Sequence, residues 1–588
     1  MKRTLYNMVA AAFLAGGMTA CADFLEIEPQ TEILEENFWN AKGDVDGMVA
    51  GCYQTMQGDA ILKRMMVWGE FRSENLSPGN ADVGNKDASL EKLLKENLQP
   101  NNGYTYWGDF YNVINRCNLI IERAPGVAER DPSFTESELR ATIAEVSALR
   151  DLCYFYLIRT FRDVPYTTEA YVDDAQVMTL PVMKFDDILD LLIADLEAVQ
   201  YDAVRIYPKD KLNYQTGRIT QEAIHAILCE MYLWKKDYAN CIRYADMVID
   251  AKKKQKEERE NQASGGGMKT KDLLNGFPLI SHFVGGNSMP SGQVYSSIFG
   301  EGGSEETIFE LTFDKDRENM PSNGAVNILY GNAKMGMGYA RPSTFVIEDV
   351  TSKVYNIFSN EYDARYSESV YQSMVMVGKY VYSSMATVST DGGDTWKLSL
   401  LGMYPENRNR SNWIIYRLTD IMLLKAEALV QTTTVTDASN AAANEINRNV
   451  LTEAFTLVNA VNKRALIRKE ENNSNYRNSD TLKLANYVNS KSAMEELVLK
   501  ERHRELMFEG KRWFDLVRAA ERDGNTIKLA AAVTRKFSST AALVRSKLAK
   551  MDAIYWPINT EELKVNPNLK QNPAYGSSEE EGNYSKTE

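Results

Sequence analysis

The sequence predicts a mainly α-helical protein with a few short strands. Apolar residues recur at spacings of three and four through much of the 588-residue chain, which places them on one face of a helix. Several of these segments form pairs joined by short turns, whereas runs that alternate apolar and polar residues are few and short. Long stretches rich in glycine, serine and tyrosine separate the helical parts. These observations predict a helical scaffold that carries loop-rich insertions.

The first twenty residues have the pattern of a signal peptide. Lys2 and Arg3 precede an apolar run over residues 8–15 that is too short to span a bilayer, and small residues lead to Cys21. A cysteine after small residues, with Leu14 upstream, resembles the lipidation site of bacterial lipoproteins. This resemblance implies removal of residues 1–20 and acylation of Cys21, and more than one acyl chain anchors a protein stably. The alternative is an ordinary secretory signal with an incidental cysteine.

Four helices are predicted in the first 200 residues, each with its apolar residues on one face. Their ranges are 45–56, 107–123, 137–162 and 185–199. Pro165 is expected to end the third helix, because proline cannot continue the backbone hydrogen-bond ladder.

The most informative segment is a helix pair that begins at Thr220. Thr220 can cap a helix running to Trp234, and a short turn leads into a second helix that we expect to end near Asp250. Two such helices resemble a tetratricopeptide repeat. Residues 412–430 with 453–468, and the region 139–200, predict further pairs.

Residues 251–411 interrupt the helical pattern. The region starts with a charged run and continues with several Gly-Gly steps, so we expect residues 251–272 to be disordered. The aromatic content of residues 280–411 predicts that this part is folded, and alternating runs at Thr307–Thr312 and Lys379–Tyr382 predict strands.

Composition and charge argue against several classes of function. The chain has 67 basic and 81 acidic residues, a net charge of -14, which disfavours binding to nucleic acid or adhesion to anionic lipid. Only three histidines are present, and no HExxH, GxSxG or P-loop motif occurs, so we expect no cofactor, no metal site and no enzymatic activity. Five cysteines besides Cys21 lack metal-site spacing and are predicted to be buried free thiols.

Three segments of the chain together resemble the SusD/RagB family. The first is Cys21-Ala-Asp-Phe-Leu-Glu-Ile-Glu-Pro-Gln-Thr-Glu, followed by Asn37-Phe38-Trp39. The second, Lys500-Glu-Arg-His-Arg-Glu-Leu-Met-Phe-Glu-Gly-Lys-Arg-Trp-Phe-Asp-Leu-Val-Arg518, resembles the C-terminal helix of that family. The third is Trp556-Pro-Ile-Asn with Asn566-Pro-Asn-Leu-Lys-Gln-Asn572. The charged and glycine-rich insertions depart from the family and leave the ligand open.

This resemblance implies a fold and a function. The fold would be one domain over residues 21–588, in which tetratricopeptide-like helix pairs form a right-handed scaffold. A loop-rich insertion would span about residues 251–411, and residues 577–588 would form a flexible tail. The function would be that of a lipid-anchored, surface-exposed protein of the outer membrane. It would bind oligosaccharide without catalysis and deliver it to a SusC-like TonB-dependent transporter, with the ligand on the loop face and the transporter on the repeat face.

The segment Lys500–Arg518 has two interpretations. Glu501/Arg504, Glu509/Arg512 and Asp515/Arg518 are each three residues apart, so each pair shares a helix face. We interpret these pairs, with His503, as a structural ion network around aromatic residues. The alternative makes Glu505 and Glu509 a carboxylate pair for acid–base catalysis.

Sugar recognition requires a flat aromatic ring for the apolar face of the sugar and planar polar groups for its hydroxyls. Seven residues combine these types in segments outside the main helices and are predicted to bind the ligand: Trp68, Arg72, Asn75, Tyr104, Tyr339, Arg341 and Trp396. Each aromatic among them could pack in the core instead, as we expect for Trp107.

Two other functions remain open at this stage. The same scaffold could carry peptides, since a groove of tyrosine, methionine and asparagine serves either ligand. The chain could also be an α-helical glycoside hydrolase, which would need two essential carboxylates in one cleft.

Overall fold

A computed structural model gives the arrangement of most of the chain. It describes residues 38–576 except 80–86, 174, 265–272, 283–290, 314–321, 335, 349–355, 359–361, 390–395, 407, 435–440 and 468–481. The predicted signal peptide, Cys21 and the predicted tail from Ser577 lie outside the described residues.

Helices make up most of the described structure, so the predicted mainly α class is confirmed. In chain order the α-helices are α1 (Lys42–Gln57), α2 (Asp59–Glu70), α3 (Ala88–Leu94), α4 (Gly108–Arg130), α5 (Glu136–Phe161), α6 (Phe185–Val199), α7 (Tyr214–Gly217), α8 (Gln221–Lys235), α9 (Tyr238–Ser264), α10 (Gln293–Tyr295), α11 (Gly324–Leu329), α12 (Ala364–Ser369), α13 (Leu418–Thr432), α14 (Ala441–Ala465), α15 (Lys491–Leu506), α16 (Arg512–Asp523), α17 (Ile527–Val533), α18 (Ala541–Lys547) and α19 (Thr560–Val565). Short 3-10 helices lie at Gly103–Thr105, Lys209–Lys211, Leu484–Asn486, Thr534–Lys536 and Met551–Ile554, and a π-helical turn at Ser296–Glu301.

The strands are short and pair two by two, always antiparallel. They are β1 (Leu76–Pro78) with β7 (Ala340–Pro342), β2 (Val164–Pro165) with β3 (Val182–Met183), β4 (Thr307–Leu311) with β12 (Trp413–Arg417), β5 (Gly331–Asn332) with β6 (Gly336–Met337), β8 (Val370–Tyr371) with β9 (Met376–Val377), and β10 (Tyr382–Ser389) with β11 (Trp396–Met403).

Helices that are neighbours in sequence pack against each other in pairs along the scaffold. The principal pairs are α4 with α5, α5 with α6, α8 with α9, and α13 with α14, and α15 packs on both members of the last pair. The predicted cap of α8 is present, because the backbone N–H of Ala223 donates to Thr220 Oγ1 at 3.3 Å. Tyr232 of α8 stacks on Tyr244 of α9 with their ring centroids 5.6 Å apart. Burial of the facing apolar stripes therefore holds each pair together.

Helix α9 is longer than predicted. We expected it to end near Asp250 and residues 251–272 to be disordered, but the helix continues through the charged run to Ser264. Lys252 is buried and its ammonium donates to the carbonyl of Thr307, while Lys256 pairs with Glu305 at 3.4 Å. The expectation was wrong for residues 251–264 because charged residues that look solvated in sequence find partners at the start of β4.

Residues 412–430 are also divided differently from the prediction. Trp413–Arg417 form β12, which pairs with β4 at the site of the predicted strand, and only then does α13 begin at Leu418. All five residues of β12 are buried. A short, fully buried apolar run cannot be assigned to a helix or a strand by periodicity alone, which explains the error.

The segment Lys500–Arg518 is two helices rather than one. Helix α15 ends at Leu506 and α16 begins at Arg512, and both Phe508 and Gly510 have positive φ angles in the turn between them. Gly510 lies against α2 so closely that a Cβ on Gly69 would stand 1.8 Å from the Gly510 carbonyl oxygen. Glycine at both positions lets the turn reach the helix.

Glu505, near the end of α15, and Glu509, in the turn that follows it, are at the centre of a buried ion network. Glu505 accepts from Arg417 at 2.6 Å, from Arg365 at 3.2 Å and from Arg464. Glu509 accepts from Arg417 and Lys379, each at 2.8 Å. Burial would raise the pKa of Glu505, but the three guanidinium groups outweigh it and hold the pKa well below its usual range.

Two of the three predicted ion pairs of this segment form. Glu501 binds Arg504 at 2.6 Å, and Asp515 binds Arg518 at 2.7 Å. The third prediction was wrong, because the helix break separates Glu509 from Arg512, and Arg512 binds Glu74 at 2.7 Å instead.

Most buried apolar side chains belong to one cluster that runs from Trp39 to Leu569, and a second cluster lies among α13, α14 and α15. The five cysteines of the described residues are buried and free of disulfides, as predicted: Cys52, Cys117, Cys153, Cys229 and Cys241. The organisation as one domain stays a prediction. Within the described part of the chain, no helix combines the length and the hydropathy needed to cross a membrane.

We expect Glu505→Gln to destabilise the protein strongly. The substitution removes a buried charge that Arg417, Arg464 and Arg365 share, although each of them keeps another acidic partner. Breaking a buried ion pair in this way costs about 3–5 kcal/mol. Urea denaturation at neutral pH measures the change in the free energy of unfolding. Glu496→Gln on the same helix is the control, because Glu496 is exposed and pairs only with exposed Lys500; it should change stability by less than about 1 kcal/mol. Equal effects of the two substitutions would contradict a supporting role for the network.

The pH dependence of stability should report the buried His225. Burial of the ring, with a contribution from Arg243, lowers the pKa of His225 to about 4. The neutral imidazole therefore stabilises the folded state fully above the unfolded pKa of about 6.5, and this contribution is lost as the pH falls towards 4.

Between pH 6.5 and 5, wild type should lose about 2 kcal/mol more stability than His225→Gln, at about 1.4 kcal/mol per pH unit. Denaturation midpoints of both proteins across this range provide the test. Parallel stability profiles for the two proteins would show that His225 does not titrate as described.

Candidate functional site

Helix α2 fixes the loop that contains Tyr104 and Tyr106. Arg64 Nε donates to the carbonyl of Tyr106 at 2.6 Å, and its guanidinium lies 5.5 Å from the centre of the Tyr106 ring. One turn further along, Trp68 Nε1 donates to the carbonyl of Tyr104 at 2.8 Å. Because residues four apart share a helix face, one face of α2 holds both ends of the loop.

Tyr104 is anchored from the opposite side by the start of α3. Its hydroxyl donates to Asp87 Oδ2 at 2.8 Å, while Asp87 Oδ1 caps α3 by accepting from the N–H of Leu90 at 3.0 Å. Burial and the Asp87 carboxylate raise the pKa of Tyr104, so its hydroxyl stays protonated. Asn102 completes the turn, because its Oδ1 accepts from the N–H of Tyr104 at 3.0 Å.

Antiparallel pairing of two strands that are distant in sequence brings Tyr339 and Arg341 to the same region. Strand β1 pairs with β7, so Ser77 lies opposite Arg341, and the N–H of Gly79 donates to the carbonyl of Tyr339 at 2.8 Å. Arg341 is exposed and Tyr339 is half-buried. The close approach depends on glycine, since a Cβ on Gly79 would stand 2.2 Å from the Gly338 carbonyl oxygen.

The loop and the strand pair meet at Tyr104. Both Arg64 and Tyr339 are near enough to Tyr104 to affect its pKa, Arg64 lowering it and Tyr339 raising it. Tyr106 is 41% exposed. We name Tyr106, Tyr339 and Arg341 the tyrosine surface; it presents two aromatic rings and a guanidinium from segments more than 200 residues apart in sequence.

Four of the seven predicted site residues are buried instead of exposed. Trp68, Arg72, Asn75 and Tyr104 are each 8% exposed or less. Arg72 pairs with Glu96 at 2.8 Å and lies 4.3 Å from the ring centre of Trp513, and the Nε2–H of His503 donates to Asn75 Oδ1 at 2.6 Å. Trp513 and His503 come from α16 and α15, whereas Glu96 follows α3; together they cover Arg72 and Asn75. The four side chains therefore stabilise the fold and leave a ligand little to contact.

Trp396 occupies the first position of β11, opposite Ser389 of β10, and so lies in a strand rather than in a loop. Its side chain lies outside the described residues. Of the predicted site residues, Tyr339 and Arg341 are the two whose described side chains reach the surface.

Sequence reasoning missed Tyr106, Arg64 and Asp87. The sequence predicts Tyr104 as a ligand residue, but its side chain donates to Asp87, whereas Tyr106, two residues later, is exposed. A two-residue choice of this kind cannot be made from composition. Arg64 lies in a helix and Asp87 caps one. At such positions the sequence pattern is explained by secondary structure, so it gives no separate signal of function.

The carboxylates considered for catalysis are fully occupied. Glu505 and Glu509 are 3% and 2% exposed and bind arginine and lysine side chains, so they do not face a cleft. Within the described residues, no group of three or more histidine, cysteine or acidic side chains has an arrangement suited to a metal ion.

Comparisons with known proteins agree with this architecture. The profile of the SusD family matches residues 305–575, which include the ion network and the closing segment. A SusD-like protein of Formosa agariphila is 25% identical over 579 residues, covering 95% of this chain and 97% of that protein. A second SusD-like protein of the same organism is 22% identical over 619 residues, covering 97% of this chain and 98% of the relative.

The chain is therefore similar to proteins of the SusD/RagB family over nearly its whole length.

Solved structures of SusD relatives share the fold. A SusD homologue from Bacteroides thetaiotaomicron superposes with a TM-score of 0.62 at 17% identity, over 92% of this chain and 99% of that one. A structure described as a laminarin-binding SusD-like protein superposes with a TM-score of 0.58 at 18% identity, over 91% of this chain and all (100%) of that one. Proteins of the SusD family are associated with the outer membrane, and lipoproteins are typical of it.

Trp68 should prove to be a structural residue. Trp68→Ala removes a fully buried ring that stacks on Phe110 at 4.7 Å, together with the hydrogen bond to Tyr104, so we expect a loss of about 3–5 kcal/mol. The control is Tyr106→Ala, which removes an exposed ring and its contact with Arg64 and should cost about 1 kcal/mol or less. Thermal or urea denaturation compares the two variants. A small effect at Trp68 would indicate a side chain that is free to leave the core.

Proposed function

We propose that this protein is a member of the SusD/RagB family and acts as a non-catalytic surface lipoprotein that binds oligosaccharide and delivers it to a SusC-like TonB-dependent transporter. Similarity to the SusD family supports the role, because members of that family bind carbohydrate without catalysis. The laminarin-binding relative supports a glycan as the ligand class. The negative net charge of -14 fits a free sugar ligand better than a nucleic acid.

The tyrosine surface is the observation that carries the glycan proposal. Exposed Tyr106 and half-buried Tyr339 offer flat rings that can cover the apolar C–H face of a sugar, and Arg341 offers donors to its hydroxyls. Arg341 forms no ion pair with another described residue, so its donors are available to a ligand. Hydrogen bonds from Arg64 and the pairing of β1 with β7 hold the backbone of this surface before a ligand arrives.

The shape of the surface favours capture followed by release. Two rings and one guanidinium on an open surface exclude little water, so affinity should be modest. Modest affinity suits a protein that must pass its ligand on, because tight binding is reached mainly through slow dissociation. In this proposal Cys21 carries the lipid anchor, and the helix pairs of the scaffold contact the transporter.

Binding of oligosaccharides should depend on the tyrosine surface. Isothermal titration calorimetry of the mature protein against a glycan panel that includes β-glucans should give saturable binding for at least one glycan. Tyr339→Ala and Arg341→Ala should each weaken this binding about tenfold, equivalent to about 1.4 kcal/mol.

The matched control for these variants is Tyr201→Ala, because Tyr201 is an aromatic residue that is 67% exposed outside the tyrosine surface. It should leave affinity unchanged. Displacement of the glycan by a peptide mixture would favour a peptide carrier, and release of sugar by the pure protein would favour a hydrolase. No heat with any glycan would overturn the proposal.

A further inference from the structure

A groove with basic walls lies between α15, α16 and α17, away from the residues of the tyrosine surface. Its volume is about 310 Å³, at the lower end of the range for small-molecule sites. The floor is apolar, with Leu499, Leu516 and Leu529 among its lining residues. The groove is therefore large enough for a single small polar ligand that has an apolar face.

Positive charge dominates the walls of this groove. Its lining includes two acidic residues, Glu495 and Glu496, and five basic ones: Lys500, Arg512, Arg522, Lys528 and Arg535. The pKa of Glu496 is lowered, chiefly by its hydrogen bond with Lys500 and also by the charges of Arg535 and Lys528. A positive groove on a protein with a net charge of -14 attracts anions selectively.

Four of the five cations have partners within the protein, and Arg512, which binds Glu74, is one of them. Lys500 binds Glu496 at 2.8 Å and Lys528 binds Asp523 at 2.8 Å. Arg522 is held by Glu495 and by Glu427, the latter at 3.2 Å. These pairs hold Lys500, Lys528 and Arg522 in place. The guanidinium groups of Arg512 and Arg535 are the other two cations of the groove.

Arg512 and Arg535 retain donors that the described protein does not use. Arg512 is 5% exposed; its Nε and Nη2 bind Glu74, but its Nη1 has no hydrogen-bond partner among the described residues. Arg535 is exposed, forms no ion pair with a described residue, and rests 5.1 Å from the ring centre of Phe345. Because Arg512 Nη1 is buried, the donors that a ligand in the groove can reach are those of Arg535.

We propose that this groove binds an anionic sugar unit, one that carries a carboxylate or a sulfate ester. The planar fork of Arg535 matches a carboxylate or sulfate by two parallel hydrogen bonds, the other cations of the lining add positive charge, and the leucine side chains receive a C–H face of the sugar ring. The inference rests on the proposed glycan-binding function and adds an acidic class of glycan to it.

The test compares glucuronate, glucose and inorganic sulfate as probes for the mature protein, by NMR titration at two salt concentrations. Glucuronate should bind at least tenfold more tightly than glucose, and the difference should shrink as salt rises. Arg535→Gln should weaken glucuronate binding at least fivefold. Lys254→Ala, which removes an exposed cation on α9, is the matched control and should leave it unchanged.

Three outcomes would overturn the inference: equal affinity for glucuronate and glucose, no effect of Arg535→Gln, or sulfate binding as tightly as glucuronate, which would indicate a site for a free ion. Neutral oligosaccharides separate this result from the proposed function, because their binding depends on Tyr339 and should not change in Arg535→Gln. Absence of a glucuronate preference in the wild-type protein, with binding of neutral oligosaccharides intact, would reject the acidic class alone.

Discussion

The buried ion network of Glu505 and Glu509 is the constraint on which the rest of the structure depends. Its cations come from α12, from the segment before β10, from β12 and from α14, so one pair of carboxylates joins the insertion to the helical scaffold. Each buried charge is costly to leave unpaired, and so these segments must all be in place together. A network of this kind specifies a single arrangement of the segments more than it adds stability.

The same region positions the proposed binding surfaces. Segment 68–75 is covered by partners from α15 and α16, including the bond between His503 and Asn75 and the pair between Arg512 and Glu74. Strand β1 follows directly from this buried segment and presents the pairing edge for Tyr339 and Arg341. Residues of α15 and α16 also line the basic groove. Rigid support of exposed groups reduces the entropy lost when a ligand binds.

Errors in the sequence predictions have a common physical origin. Trp68, Arg72 and Asn75 have the composition of a sugar site, but partners more than 400 residues away cover them. Lys252 looks solvated in a charged run, yet it donates to a carbonyl on β4. Glu509 and Arg512 have helical spacing, but a turn with positive φ at Gly510 separates them. Each prediction used local pattern at a position where a long-range contact decided the outcome.

The sequence by itself determined the helical class, the bounds of α6, the cap of α8, the burial of the cysteines and the similarity to the SusD family. These features follow from periodicity, short-range hydrogen bonds and ordered motifs. Only the tertiary structure decided which aromatic and charged side chains are exposed. Tyr104 and Tyr106 are two residues apart and have the same chemistry, yet one is bound to Asp87 and the other faces solvent. Exposure depends on what the distant parts of the chain cover, and no local pattern contains that information.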